Sequence, residues 1–173
     1  YLFSNVKAAH LRNLNLVRET PELFVEQMNA ELKRPKFRPS GENRQTKLSQ
    51  YGELVDDGWA VEWMTRGGAA VRIHDSGDFF TREYLELWRR IAEANPHILF
   101  YAYTKEVAMV KSLLLPANFR VIYSKGGLQD DLIDDNVDRH ADVFPNHEAM
   151  AAAGYTDQEA SDLLAVLLKT NKV

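Results

Sequence analysis

The sequence predicts an α/β fold: a helical N-terminal third, a parallel β-α-β-α-β core resembling a partial (βα) barrel, and a C-terminal helix. Three observations lead there. Residues 69–127 alternate short β-type runs with helical runs, and strand–helix–strand–helix–strand in so little chain means two βαβ units with parallel strands. Before residue 67 the apolar residues recur at helical spacing only. A length of 173 residues, 45% hydrophobic and 27% charged, is the profile of one globular domain. That domain divides into a helical segment (1–66, with a basic loop at 33–47), a parallel βα core (67–127), and an acidic loop with a C-terminal helix (128–173).

Taken in order, Ser4-Asn5 offers an N-cap for a helix over 6–19, with Val6, Ala9, Leu11, Leu14 and Val17 as its apolar stripe. Thr20 then caps a second helix with Pro21 at its first position, and Pro35 ends it. Residues 33–47 carry two prolines, one glycine and six basic residues against one acid, the composition of an exposed loop. A third helix is expected over 48–65, closed by Gly67-Gly68, with Trp59 and Trp63 as core residues. Strands are expected over 69–74, 98–103 and 119–123, and helices over 81–95 and 106–114. Thr81 caps the first of these helices, Phe80 and Leu85 stand at its staple positions, and Trp88 lies on its apolar face. The tail reads as an acidic loop over 129–142. A helix over 157–169 follows, with Thr156-x-x-Glu159 as its capping box and Leu163, Leu164, Leu167 and Leu168 as its buried face.

Composition excludes several function classes. Cysteine is absent, so this chain supplies no disulfide, thiolate metal site or cysteine nucleophile. No apolar run of about 18 residues and no signal-peptide pattern occurs, so no membrane association is expected, and a cytoplasmic location is. Residue 1 is Tyr rather than Met, which suggests a chain preceded by further sequence. The net charge of -4 hides a gradient: residues 1–50 carry nine Lys/Arg against five Asp/Glu, and residues 129–173 carry three against ten. Attraction between the two ends is one consequence of such a gradient.

Ligands of parallel α/β folds bind where strands end, because loops and helix N-termini converge there. The expected ends are His74-Asp75-Ser76-Gly77-Asp78, Tyr103-Thr104-Lys105 and Ser124-Lys125-Gly126-Gly127. His74, Asp75 and Asp78 are candidate catalytic groups, since an imidazole beside two carboxylates can exchange protons. A strand-to-helix turn also uses these residue types, and Asp78 or Thr81 can simply cap the helix. Lys105 and Lys125 are candidates to hold an anion between neighbouring strands. Arg72 and His74 share one strand face by alternation, as do Tyr101 and Tyr103, and in a curled sheet those faces would line an interior. Candidate ligand-binding residues are thus Arg72, Ser76, Gly77, Tyr103, Lys105, Ser124 and Lys125. The basic loop offers Arg34, Lys36, Arg38 and Arg44 to phosphates and Phe37 to a base, and no metal site is expected. His10, His97 and His147 fall in no recognisable ligand or catalytic spacing and are given no role.

The run VRIHDSGDFFTREYLELWRRIAEANPHILFYAYTKE (71–106) resembles the phage-associated gene product 88 domain family, and FSNVKAAHLRNL and YSKGGLQDDLIDDNVDRHADVF fit it too. More distantly, strand, Ser-Gly-Asp turn, helix and strand ending in Tyr-Thr-Lys are similar to part of a radical-SAM barrel. That likeness implies a turn that meets the amino group of S-adenosylmethionine, with Asp78 in the acidic role. It also implies an iron–sulfur cluster on a cysteine segment upstream of Tyr1, so cluster and S-adenosylmethionine belong here only if such a segment exists. The chain is then either the carboxyl portion of a larger protein or a cluster-free relative. The family implies a phage or mobile-element protein in a bacterial host. The expected function is an enzyme, or cluster-less relative of one, binding a small polar ligand at the strand ends. The alternative is a non-catalytic accessory protein binding nucleic acid or a host protein through the basic loop and acidic tail.

Overall fold

The computed structural model describes residues 4–173, with side chains from residue 6 onward. Its centre is one sheet of four parallel strands in the order β1 (Ala70–Arg72), β2 (Leu99–Thr104), β3 (Phe119–Ser124) and β4 (His140–Ala141). The three expected strands pair as the βαβ argument requires. β4 falls in the stretch expected to be an acidic loop, because two residues are too few to leave a periodic signal. The sheet stays open: β1 and β4 are its edges, and no barrel closes among the described residues.

Parallel strands need both faces covered, and alternation supplies two apolar sets. Ile98, Phe100, Ala102, Phe119 and Tyr123 pack with α2 (Pro21–Glu31), α5 (Arg82–Ala94) and α6 (Val107–Lys111), through Phe24, Val25, Leu85, Trp88, Ile91, Val107 and Val110. On the other face Leu99, Tyr101 and Ile122 meet Ala60, Trp63 and Met64 of α4 (Gly58–Arg66), together with residues 164–168 and Val173. α1 (Ser4–Glu19) lies against α2, and its Leu16 and Val17 reach the first of these clusters.

Local chemistry explains most boundaries. The cap expected at Ser4-Asn5 lies outside the described side chains. Pro21 opens α2, but Thr20 does not cap it; its hydroxyl donates back to the Leu16 carbonyl at 3.1 Å. Thr81 caps α5, accepting from the Tyr84 N–H at 3.1 Å. At the staple positions, the Phe80 ring stacks on Tyr84 with centroids 4.6 Å apart, and Leu85 is fully buried. Gly67 closes α4 in the left-handed region at φ 66°, with the Gly68 N–H donating to the Trp63 carbonyl at 2.9 Å. Trp63 and Trp88 are buried as expected; Trp59 is only half-buried and donates its indole N–H to the Pro96 carbonyl at 2.8 Å.

Two expected helices are corrected. The helix over 48–65 is broken into α3 (Arg44–Leu48), a 3-10 turn over Ser49–Tyr51, and α4. Gly52 turns the chain at φ 148°, and residues 53–55 bind the C-terminal segment instead: the Val55 N–H donates to the Leu167 carbonyl at 2.8 Å, and that of Lys169 to Glu53 at 2.9 Å. The helix over 157–169 shrinks to α8 (Leu164–Leu167), preceded by α7 (His147–Ala152). Its capping box does not form. The Thr156 N–H is drawn to the Lys172 carbonyl at 3.2 Å, and the Glu159 N–H to the Asp157 carboxylate at 2.7 Å. The leucine face holds nevertheless, with Leu164, Leu167 and Leu168 buried and Leu163 partly so. Guanidinium groups bind the carbonyls this short helix leaves open: Arg120 donates to Val166 at 3.1 Å, and Arg139 to Ala165 at 3.1 Å and Leu168 at 2.6 Å. Among the described residues no helix is long and apolar enough to cross a membrane.

Two glycines test this packing. A Cβ on Gly68 would stand 2.2 Å from the Trp63 indole nitrogen. Gly68→Ala is therefore expected to cost about 1–3 kcal/mol in urea unfolding. Gly58 opens α4 with nothing within 4 Å of its would-be Cβ, so Gly58→Ala should stabilise by about 0.4–1 kcal/mol.

Candidate functional site

Strand alternation ends at Arg72, and with it the expected pairing of Arg72 and His74 on one face. The Ile73 N–H still donates to the Tyr101 carbonyl at 2.9 Å, but the chain then turns. His74 swings to the helical side, where its ring lies 4.7 Å from that of Phe79 and its Nε2 lies 3.3 Å from the Tyr84 hydroxyl. Burial pushes the imidazole below its ordinary range, partly offset by the Asp78 charge, so His74 is neutral at neutral pH. Its Nδ1 is buried without a hydrogen-bond partner. Burial likewise raises Tyr84, so its phenol stays protonated.

Asp78 belongs to the frame. One oxygen accepts from the Phe79 N–H at 2.7 Å and from the Thr104 hydroxyl; the other accepts from the Lys105 N–H at 2.7 Å. The carboxylate thereby ties the turn after β1 to the end of β2. Asp75 is exposed and stands outside the cavity described below. The three candidate catalytic residues thus separate: His74 faces a cavity, Asp75 faces solvent, and Asp78 holds two strand ends together.

The expected anion clamp is also filled from within. Lys125 pairs with Asp135 at 2.7 Å, which raises its pKa, and the Lys105 ammonium donates to the Lys125 carbonyl at 2.9 Å. The N–H groups of Gly126 and Gly127 both donate to Asp130, at 2.8 and 2.9 Å, and hold that carboxyl below its usual range. Ser124 ends β3 in register with Ala141. Tyr103 donates its hydroxyl to Gln158 at 2.8 Å, and Arg72 pairs with Asp162 at 2.9 Å.

Beside these residues lies a cavity of about 650 Å³ between α1, α2, the β1 end and α5. Leu14, Val17, Phe24, Met28, Tyr84 and Trp88 give it apolar and aromatic walls. His10, Asn13, Gln27, Arg72, His74, Ser76, Gly77 and Asp78 add polar groups. Sequence reasoning found the turn but missed His10, Asn13 and Gln27. Only helix packing brings them opposite His74, although each lies one turn from an apolar stripe residue.

The other expected sites are placed as follows. Arg34 and Lys36 both pair with Glu31, at 2.8 and 2.9 Å, and Arg44 lies over the Trp63 ring at 5.7 Å. Phe37 packs against the helical core rather than standing free for a base, and Arg38 is exposed. His147, given no role from sequence, gathers with Asp157 and Glu159 so that their ligand atoms lie within 4.8 Å; all three are exposed. Of the groups a radical-SAM likeness implies, an iron–sulfur cluster does not fit, since the chain has no cysteine to offer it a thiolate; Asp78 already accepts from the Phe79 and Lys105 N–H groups and from the Thr104 hydroxyl.

A protein-family model described as Gene product 88 matches residues 1–172. No curated protein and no solved structure matches the chain.

Since the His74 pKa is lowered on folding, the unfolded chain binds the proton first as pH falls. The native state therefore loses stability as pH drops below about 6.5, and the loss levels off below the depressed folded value. Urea unfolding between pH 7 and 5 should show this slope, and His74→Phe should flatten it. Asp78→Ala strands two N–H groups and a hydroxyl, and should cost about 2–3 kcal/mol in the same assay.

Proposed function

The chain belongs to the gene product 88 family, and on that premise we propose that it binds a small planar molecule bearing polar edge groups in the cavity beside the β1 end. The observation that carries this reading is the composition of the cavity at that place. Aromatic and aliphatic walls carry a few convergent polar groups, the usual make-up of a small-molecule site, and about 650 Å³ suits such a ligand. The position agrees with the tendency of parallel sheets to bind ligands beyond their carboxyl ends.

The lining suggests the class of ligand. The Phe24, Tyr84 and Trp88 rings favour a flat apolar body. The Asn13 and Gln27 amides both donate and accept, which suits a heterocycle presenting both kinds of edge. A neutral His74 beside the Tyr84 hydroxyl is a proton acceptor at neutral pH, so it is the residue we assign to acid–base chemistry on the bound molecule. Asp75 and Asp78 take no part in that step.

Thermal unfolding against nucleobases, nucleosides and S-adenosylmethionine tests the proposal. A ligand at 100 times its Kd should stabilise by about 2.7 kcal/mol, raising Tm by roughly 5–10 °C. Met28→Trp, which fills the cavity, should abolish the rise while the protein stays folded. Absence of any rise across the panel, or an equal rise in Met28→Trp, would defeat the proposal.

A further inference from the structure

We propose that Arg72, Tyr101 and Tyr103 form a second site, for an oxyanion, on the sheet face that α4 and α8 cover in part, and that residues 157–162 close it in cis with Asp162 in the anion's place. The three side chains come from neighbouring strands and all point donors the same way. Arg72 Nη1 donates to Asp162 Oδ2 at 2.9 Å, and the Tyr101 hydroxyl donates to the same oxygen at 3.2 Å. The Tyr103 hydroxyl donates to Gln158 Oε1 at 2.8 Å. The guanidinium lies over the Tyr103 ring, 4.9 Å from its centroid, which orients the cation before any ligand arrives.

Nothing in this trio accepts a proton at neutral pH. Burial first, then the Asp162 charge, pushes both phenols up to about 12, and a guanidinium is always charged. Each of the three side chains turns a donor to this one place, and an oxyanion supplies several acceptors at once. The strap now provides them with one carboxylate and one amide.

The strap is built to come away. Residues 157–162 make no backbone hydrogen bond to the sheet among the described residues. Their bonds are local: Ser161 to Gln158, Leu164 to Ser161 and Ala165 to Asp162. Side chains hold the segment down, at its start through Gln158 on Tyr103 and Glu159, 3.4 Å from His147, and at its end through Asp162 on Arg72. The Arg72–Asp162 pair is 41% and 45% exposed, so salt screens it and a competing anion can reach it. Behind the strap, Leu164–Leu168 are buried and anchored by Arg120 and Arg139, so the hinge lies near Leu163. Tyr101 and Tyr103 lie outside the cavity lining; Arg72 borders both places, but its Nη1 is turned to Asp162, so this inference does not rest on the cavity proposal.

The test compares the full chain with Asp162→Ala in thermal unfolding against inorganic phosphate and, separately, succinate. Asp162→Ala should respond at about tenfold lower anion concentration than wild type, and Asp162→Ala/Tyr101→Phe/Tyr103→Phe should lose that gain. Whichever anion acts at the lower concentration identifies the source. His74→Phe should leave the response unchanged, which separates this site from the cavity. A second readout uses wild type alone: the effective anion should speed cleavage after Glu159 by a glutamate-specific protease, because the strap is displaced. If Asp162→Ala does not fold, Gln158→Ala, which frees Tyr103, takes its place. Equal responses in wild type and Asp162→Ala, a response that survives loss of both hydroxyls, or slower cleavage after Glu159 would each overturn the inference.

Discussion

β2 is buried on both faces, and the packing of the rest of the molecule follows from that requirement. Ile98, Phe100 and Ala102 face the helices, while Leu99 and Tyr101 face the opposite way, and all five are almost wholly out of water. A parallel strand with two apolar faces is stable only when two layers cover it. The βα crossovers supply one layer through α5 and α6. The other layer has no crossover to draw on, so it is assembled from α4 and from the far end of the chain. The bridge between Leu54 and Leu168 joins those two pieces into one cover.

That second cover brings a polar difficulty, because α8 is a short helix pressed against the sheet with its last carbonyls inside. Arg120 and Arg139 answer it by donating to three of them. Burial pulls Arg139 down to about 10, still charged at neutral pH. Removing either guanidinium would leave buried carbonyls unpaired, a heavier penalty than the loss of an exposed ion pair.

The charge gradient has a structural outcome at the carboxyl ends of the strands. The acidic tail does not seek the basic loop, whose Arg34 and Lys36 are matched by Glu31. It meets the strand ends instead: Asp162 at Arg72, Asp130 at the Gly126 and Gly127 amides, Asp135 at Lys125. Asp78, from the core itself, does the same for Thr104 and Lys105. Donors that sequence alone offers to a ligand are thus met by the protein's own acceptors, mostly carboxylates, with the Lys125 carbonyl taking the Lys105 ammonium and the Gln158 amide the Tyr103 hydroxyl. The open volume lies on the helical side of β1, where apolar residues predominate.

The strands, their parallel sense, the Thr81 cap and the leucine face of the tail were legible because each depends on neighbours in sequence: alternation, a hydroxyl three residues from its N–H, a repeating apolar face. Less was legible of the candidate site. The turn at His74–Asp78 announced itself by composition, but the roles of its members did not. A carboxylate reads alike whether it meets solvent, as Asp75 does, or two strand ends, as Asp78 does. His10, Asn13 and Gln27 gave no signal at all, since their shared cavity exists only once α1 and α2 dock on β1 and α5. The sequence by itself determined the α/β class and the polar strand ends, which are properties of short-range periodicity. Tertiary structure alone decided that Thr156 abandons its capping box for Lys172, that residues 53–55 leave a helix for residues 167–169, and which of the polar ends stays open. The first two outcomes set a local hydrogen bond against a partner more than ten residues away, and periodicity along the chain cannot register such a partner.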